Sequence, residues 1–206
     1  MAALSIATIT SLLAPYLDGQ GTPELCTQLS TYLDLLLKWN ARTNLTAIRE
    51  PEEIVRRHFG ESVFAGRHIG ANTTLLDFGS GAGFPGLPIQ LLRPELKVTL
   101  AESQNKKSTF LREVVRTLGL KTEVWAERVE AMPLNRRFET VAMRAVDNME
   151  AALKAATLRV VEGGELAVLT TQGLMPGADR VISLPNSATG LLCLRTFHVE
   201  HPPQSA

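Results

Sequence analysis

The chain has 206 residues, 45% of them hydrophobic, and a formal net charge of zero. That length supports a single compact unit with a sizeable core, and the charge balance leaves no global field of the kind that draws proteins to nucleic acid, so any basic surface is local. Two widely separated cysteines, Cys26 and Cys193, lack metal-ligand spacing and suit a reducing cytoplasm, so neither a metal site nor a disulfide framework is expected.

The segment from Met1 to Leu17 is apolar but has no Lys or Arg in front of it, so a secretory n-region is missing. Residues 4–17 read as a short helix stopped around Pro15. No uncharged apolar run is long enough to span a bilayer. Thr22-Pro23-Glu24 is a helix start, with an N-cap hydroxyl, a proline in the first turn and an acid near the positive end of the dipole. Leu25, Leu29, Tyr32, Leu33, Leu36 and Leu37 then recur at helical spacing to about Trp39, a wide core-facing stripe. Asn40 to Thr46 reads as a loop. A further helix spans Pro51 to about His68, with Ile54, Val55, His58, Phe59, Ser62 and Val63 inward; taken alone, His58 reads as a core histidine. These helices, residues 1–70, are expected to cap a sheet unit over residues 71–206.

From Thr74 strands and helices alternate. Strands are expected at 74–78, 97–101, 121–125, 139–143 and 165–171, with helices at 85–93, 104–118 and about 148–160, the last ending before Gly163-Gly164. Alternation of this kind means a parallel sheet with helices on both faces. Arg180 to Leu184 and Leu191 to Phe197 flank a short loop and form a hairpin. A mostly parallel seven-stranded sheet closing in an antiparallel hairpin is the pattern of the Rossmann-like class I fold of S-adenosylmethionine-dependent methyltransferases.

The most informative stretch is Leu75 to Gly86: a buried strand, then Gly79, Gly81 and Gly83, then a helix. Such a turn lies at the ligand crevice of a doubly wound sheet. Gly81 to Gly86 matches G-x-G-x-x-G, but that match alone does not choose a ligand. Asp77 at the strand end would repel a pyrophosphate, whereas a cationic sulfonium meets no such repulsion. Glu102, about twenty residues past the glycines and at the end of the next strand, can accept from both ribose hydroxyls of either NAD or S-adenosyl-L-methionine. Asp77 and Glu102 also admit a purely structural reading, as strand-end carboxylates held by partners. Arg144, after an apolar strand, is either a sheet-end ion pair or a phosphate or substrate contact, and Glu130 is a cofactor contact or a solvated loop acid. Two local surfaces are basic. Residues 38–68, carrying Arg42, Arg56 and Arg57, are net +2, and residues 104–118, carrying Lys106 and Lys107, are net +3. Both suit a phosphate-backbone footprint or an ordinary solvated helix face. Only 5% of residues are aromatic, which argues against a base-stacking platform.

Asn44-Leu45-Thr46, the helix with His58 and Glu61-Ser62, Leu76 to Gly86, Leu92-Arg93-Pro94-Glu95, Lys106 to Leu111, Arg128-Val129-Glu130 and Arg144-Ala145 together resemble the bacterial 16S rRNA guanine-N7 methyltransferase family, glucose-inhibited division protein B. The likeness runs from about residue 25 to 172. It implies S-adenosyl-L-methionine as cofactor and one guanine in the decoding-centre loop of 16S rRNA, free or in the small subunit, as substrate. By this resemblance Gly79 and Phe84 contact the cofactor, Glu102 binds its ribose, Val129 and Glu130 flank the adenine, and Arg144 is a site arginine. Asp77, Gly81 and Gly83 join the cofactor set from the turn itself. The chain departs from the family at Glu139 and Met143, where Asp and Ser are frequent, and at Gln172-Gly173, where Lys-Gly is common. The helix after the fifth strand looks shortened to Leu174 through Asp179. A monomer is expected, with no general base, because guanine N7 offers an in-plane lone pair. The alternatives are a methyltransferase of the same fold acting on a small molecule or protein, an NAD-dependent oxidoreductase, and a non-catalytic nucleotide- or RNA-binding module.

Overall fold

The computed structural model describes residues 2–144 and 148–197. Ala145, part of one motif quoted above, lies outside them, as do the extreme ends of the two expected units. Strands β1 (Thr74–Phe78), β2 (Lys97–Ala101), β3 (Glu123–Trp125), β4 (Phe138–Arg144), β5 (Val160–Thr170), β6 (Arg180–Ser183) and β7 (Leu191–Thr196) form one sheet in the order β3-β2-β1-β4-β5-β7-β6. The first five strands are parallel, and β7 joins β5 and β6 antiparallel. This is the expected class I topology.

Alternation along the strands assigns the two faces, because successive side chains point to opposite sides. Leu75, Leu100 and Ala142 share a core with Tyr32, Leu33, Phe59 and Phe110, whereas Leu76, Phe78, Val141 and Met143 pack with Val129, Ala152 and Ala156. The first face is covered by α1 (Ile6–Leu17), α2 (Pro23–Thr43), α3 (Pro51–Glu53), a π-helical segment (Ile54–Gly60), α4 (Glu61–His68), α5 (Gly86–Leu92) and α6 (Asn105–Thr117). The second is covered by α7 (Met149–Thr157) and a 3-10 turn (Val129–Ala131).

Several expected boundaries are corrected. Helix α1 runs through Pro15 to Leu17, because burial of Tyr16 and Leu17 in the last turn offsets the cost of an internal proline, about 3 kcal/mol. Helix α2 continues past Trp39 to Thr43 before Asn44 turns the chain in the left-handed region. Asn40, read as a loop residue, is instead a buried clasp. Its amide accepts from the Thr46 backbone N–H at 3.0 Å and donates to the carbonyls of Thr46 and Ile48. Strand β5 begins at Val160 and includes Gly163-Gly164, with a register irregularity against β4 between Phe138 and Thr140. Backbone bonds from Gly163 N–H to the Phe197 carbonyl and from Phe197 N–H to the Gly164 carbonyl tie that stretch into the sheet. No helix forms over Leu174–Asp179; the connection from β5 to β6 is turns and bends.

Candidate functional site

The glycine turn leaves β1 with positive φ at Gly79 (69°), Gly81 (59°) and Gly83 (97°). At Gly83 glycine is also a packing requirement: a Cβ would come within 2.5 Å of the Tyr32 hydroxyl and of Leu87. That hydroxyl donates a short hydrogen bond to the Ala82 carbonyl, so α2 holds the crest of the turn in place. Tyr32 also stacks on Phe84 at 5.6 Å between centroids, and His58 stacks on Phe84 at 4.5 Å and 15°. The turn is therefore fixed from the helical side by an aromatic ladder.

Glu102 braces the turn from the sheet side. One of its oxygens accepts from Gly81 N–H at 3.0 Å and the other from Gln104 N–H at 2.7 Å. A carboxylate has about four lone-pair sites, so two remain for a ligand. Asp77 sits beneath the same turn with no exposed surface. One of its oxygens accepts from Gly86 N–H at 2.9 Å and the other is buried without a partner. Burial pushes its carboxyl up to about 7, against the lowering effect of the Gly86 bond.

Two cavities flank the turn and share Gly79 and Glu102 as a common wall. The first, about 440 Å³, lies over the ends of β1 and β2 and is bounded by Phe78, Ala101, Val129, Glu130 and Asn148. The second, about 300 Å³, lies between the turn and the N-terminal helices and is bounded by Thr46, His58, Gly81, Ala82, Phe84, Lys107 and Arg144. Of the expected cofactor residues, Gly79, Gly81, Phe84, Glu102, Val129, Glu130 and Arg144 line one cavity or the other. Asp77 and Gly83 line neither: both face the interior and support the turn from below.

Arg144 ends β4 and reaches back to the helical segment. Its Nη2 lies 2.9 Å from a Glu61 oxygen and its Nη1 donates to the Arg57 carbonyl at 2.6 Å. Burial holds the guanidinium below its ordinary pKa while Glu61 opposes that shift. Glu61 is itself raised by burial, with Arg144 and then Arg57 acting to lower it. A third, small cavity of about 100 Å³ adjoins this pair and is bounded by Arg57, Met149, Leu169 and Thr170 to Gln172.

His58, read from sequence as a core histidine, bounds the second cavity. Its Nε2 lies 2.7 Å from the Thr46 hydroxyl, and its Nδ1 is buried without a partner. Burial, then Arg144 and Arg57, push its pKa down to about 3, so the ring is neutral. Of the basic residues read as RNA contacts, Lys107 lines the second cavity and Arg57 the third. Arg56 pairs with Glu52 on the helix surface, and Arg42 and Lys106 are exposed.

Other supporting residues carried little signal in sequence. Tyr32 looked like one more apolar-stripe position, and its hydroxyl was the only hint. Arg159 is buried and donates to the carbonyls of Val129, Met132 and Pro133 at 2.7–3.0 Å, anchoring the loop that carries Val129 and Glu130. The departure at Glu139 falls away from the site: its carboxylate accepts from Thr73 and Thr74 backbone N–H groups, at the end of β4 opposite Arg144. Met143 is buried beneath the sheet, whereas Gln172 bounds the third cavity. Among the described residues no cluster suited to holding a metal ion occurs, and no helix is long and apolar enough to cross a membrane.

The architecture recurs in solved structures. TYW2 from P. horikoshii, solved in complex with MeSAdo, superposes with a TM-score of 0.57 at 16% identity, covering 69% of this chain and 63% of that one. Sequence relatives lie nearer. The ribosomal RNA small subunit methyltransferase G of Nitrosomonas europaea is 43% identical over 130 residues, 63% of this chain and 60% of that protein. The protein of the same name from Xanthomonas campestris pv. campestris strain B100 is 36% identical over 183 residues, 88% of this chain and 82% of its own. The family model described as rRNA small subunit methyltransferase G matches residues 25–176, a span that contains the glycine turn, Glu102, the Val129-Glu130 loop and the Arg144–Glu61 pair together. The chain belongs to the rRNA small subunit methyltransferase G family.

Proposed function

We propose that this chain is an S-adenosyl-L-methionine-dependent methyltransferase acting on N7 of one guanine of 16S rRNA, in the cytoplasm, as a monomer, with the rRNA or the small ribosomal subunit as partner. The observation that carries the reading is the pair of adjoining cavities at the carboxyl ends of β1, β2 and β4, divided by Gly79 and Glu102. Such a position is where open α/β sheets bind ligands.

The residues fit an adenosine-bearing cofactor. Glu102 keeps spare acceptor sites for ribose hydroxyls, and Val129 presents a buried apolar wall for a purine face. S-adenosyl-L-methionine supplies an electrophilic methyl group on a sulfonium. The chain's task is to place an acceptor lone pair in line with that methyl and to exclude water, which proximity and fixed electrostatics accomplish without a general base. Guanine N7 needs no deprotonation, consistent with the neutral His58 ring beside the site. Arg144 opens into the second cavity, where a guanidinium fork suits a phosphate or the O6 edge of guanine. Arg42, Arg56, Arg57, Lys106 and Lys107 supply sequence-independent phosphate contacts around it.

The test is transfer of labelled methyl from S-adenosyl-L-methionine to small-subunit rRNA, followed by digestion to nucleosides. Label in 7-methylguanosine supports the proposal; label in another nucleoside, or none, refutes it. A parallel thermal-shift comparison should show stabilisation by S-adenosylhomocysteine and none by NAD.

A further inference from the structure

We infer that Glu61 is a positioning residue for methyl transfer: its carboxylate fixes the plane and reach of the Arg144 guanidinium at the junction of the second and third cavities. The inference rests on the function proposed above. Glu61 opens α4 directly after the π-helical segment, a helix type that recurs at functional sites. Its side chain is 6% exposed and that of Arg144 12%. Nη2 is ion-paired with a Glu61 oxygen at 2.9 Å, and Nη1 donates to the Arg57 carbonyl at 2.6 Å, so the two terminal nitrogens are held by different partners. Two contacts from different points of one helical segment fix a planar group. The remaining N–H donors of its five then stay free for a ligand.

An ion pair in this place is poorly explained by stability alone. Removing two charges from water costs several kcal/mol per ion, and apolar side chains of similar volume often serve as well. Here the pair does not close a core: both residues bound the third cavity, and Arg144 bounds the second as well. Arg57 approaches the same carboxylate more loosely, with Nε at 3.8 Å, and its own side chain is 45% exposed. Glu61 therefore serves Arg144 first. The competing role, an acid favouring the first turn of α4, would act on folding without regard to Arg144.

The experiment is a double-mutant cycle read by single-turnover methylation of small-subunit rRNA, with cofactor affinity and thermal midpoint measured on each protein. Glu61→Gln keeps the shape and removes the charge. It should lower the methylation rate at least fivefold while cofactor affinity stays within twofold. In an Arg144→Gln background the same substitution should change the rate less than twofold, because the group it positions is gone. An equal loss in both backgrounds, or an unchanged rate in the wild-type background, overturns the inference. If Glu61→Gln folds poorly, Glu61→Asp retains the charge but retracts it by one methylene, and should give the same rate-only loss; an unchanged rate there also overturns it. Wild-type transfer without any Glu61 effect overturns this inference alone, whereas no wild-type transfer overturns the proposed function.

Discussion

Asp77 and His58 should tilt the stability of the fold in opposite directions as pH changes. Burial raises the Asp77 carboxyl from 3.8 to about 7. A group whose folded-state pKa is raised contributes stability that is fully present below about pH 3.8 and is lost as pH climbs to 7. Each pKa unit is worth about 1.4 kcal/mol, so the loss is about 4 kcal/mol. His58 is lowered from 6.5 to about 3, so its contribution is present above pH 6.5 and is lost as pH falls toward 3, by a similar amount. Between about pH 4 and 6.5 the slopes oppose, and the wild type masks both. Substitution unmasks them. Asp77→Asn keeps an acceptor for the Gly86 N–H and does not titrate, so its stability relative to wild type should rise by about 4 kcal/mol from pH 4 to 8. His58→Gln should gain on wild type in the other direction, by about 3 kcal/mol as pH falls from 7 to 4. Urea unfolding at matched pH measures both, and subtraction removes other carboxylates such as Glu123 and Glu139, which titrate alike in variant and wild type. A pH-independent difference for Asp77→Asn would mean that the buried carboxyl titrates normally, and the reasoning from its burial would fail.

Glu102→Ala should weaken S-adenosyl-L-methionine binding by about 1.5–3 kcal/mol, the range for hydrogen bonds to a charged group, and unchanged calorimetric affinity would remove Glu102 from the site. Gly81→Val puts a β-branched residue at φ 59°, where such residues are outliers, so cofactor binding should disappear while the circular dichroism spectrum stays native; normal binding would show that the turn does not approach the cofactor. Arg144→Ala should lower rRNA methylation more than tenfold and cofactor affinity less than tenfold, a boundary of about 1.4 kcal/mol. Arg144→Lys should rescue little, because a point charge lacks the fork. Parallel collapse of binding and turnover would place Arg144 in the cofactor pocket instead.

The sheet was legible because its signals are local. Short buried runs in Thr74–Phe78 and Lys97–Ala101, and the glycines that follow β1, mark strands and turn without help from distant residues. Boundaries failed where distant partners decided. Asn40 is a loop former by composition, yet three hydrogen bonds to Thr46 and Ile48 make it a helix residue. Gly163-Gly164 punctuates by composition, yet Phe197, more than thirty residues on, pairs it into the sheet. The π-helical segment has no sequence signature that separates it from α-helix, so Arg57 was readable as a basic residue and His58 and Glu61 as motif residues, but not the contacts that bring them to the cavities and to Arg144. In the candidate site, residues at strand ends were readable because topology puts strand ends at the crevice. Tyr32, His58 and Arg159 were not, because each acts through a polar atom on a side chain that otherwise looks like core or surface.

The N-terminal helices stand closer to the site than their place in the chain implies. Read along the chain they precede the sheet and look like a cover. In the structure they supply three of the contacts that shape it: the Tyr32 hydroxyl on Ala82, the His58 ring on Phe84, and the Glu61 carboxylate on Arg144. The packing beneath is continuous, with Leu13, Tyr32, Phe59, Leu75 and Leu100 in a single cluster. Separating the helices from the sheet would therefore expose the apolar face of β1 and β2 and leave Arg144 without its counter-charge. It would also free the glycine turn from the hydroxyl and the rings that hold it. A shift of the π-helical segment by an ångström would reach Arg144 and Phe84 together. Whatever binds on the basic helical side then acts on the geometry of both cavities through these packed helices.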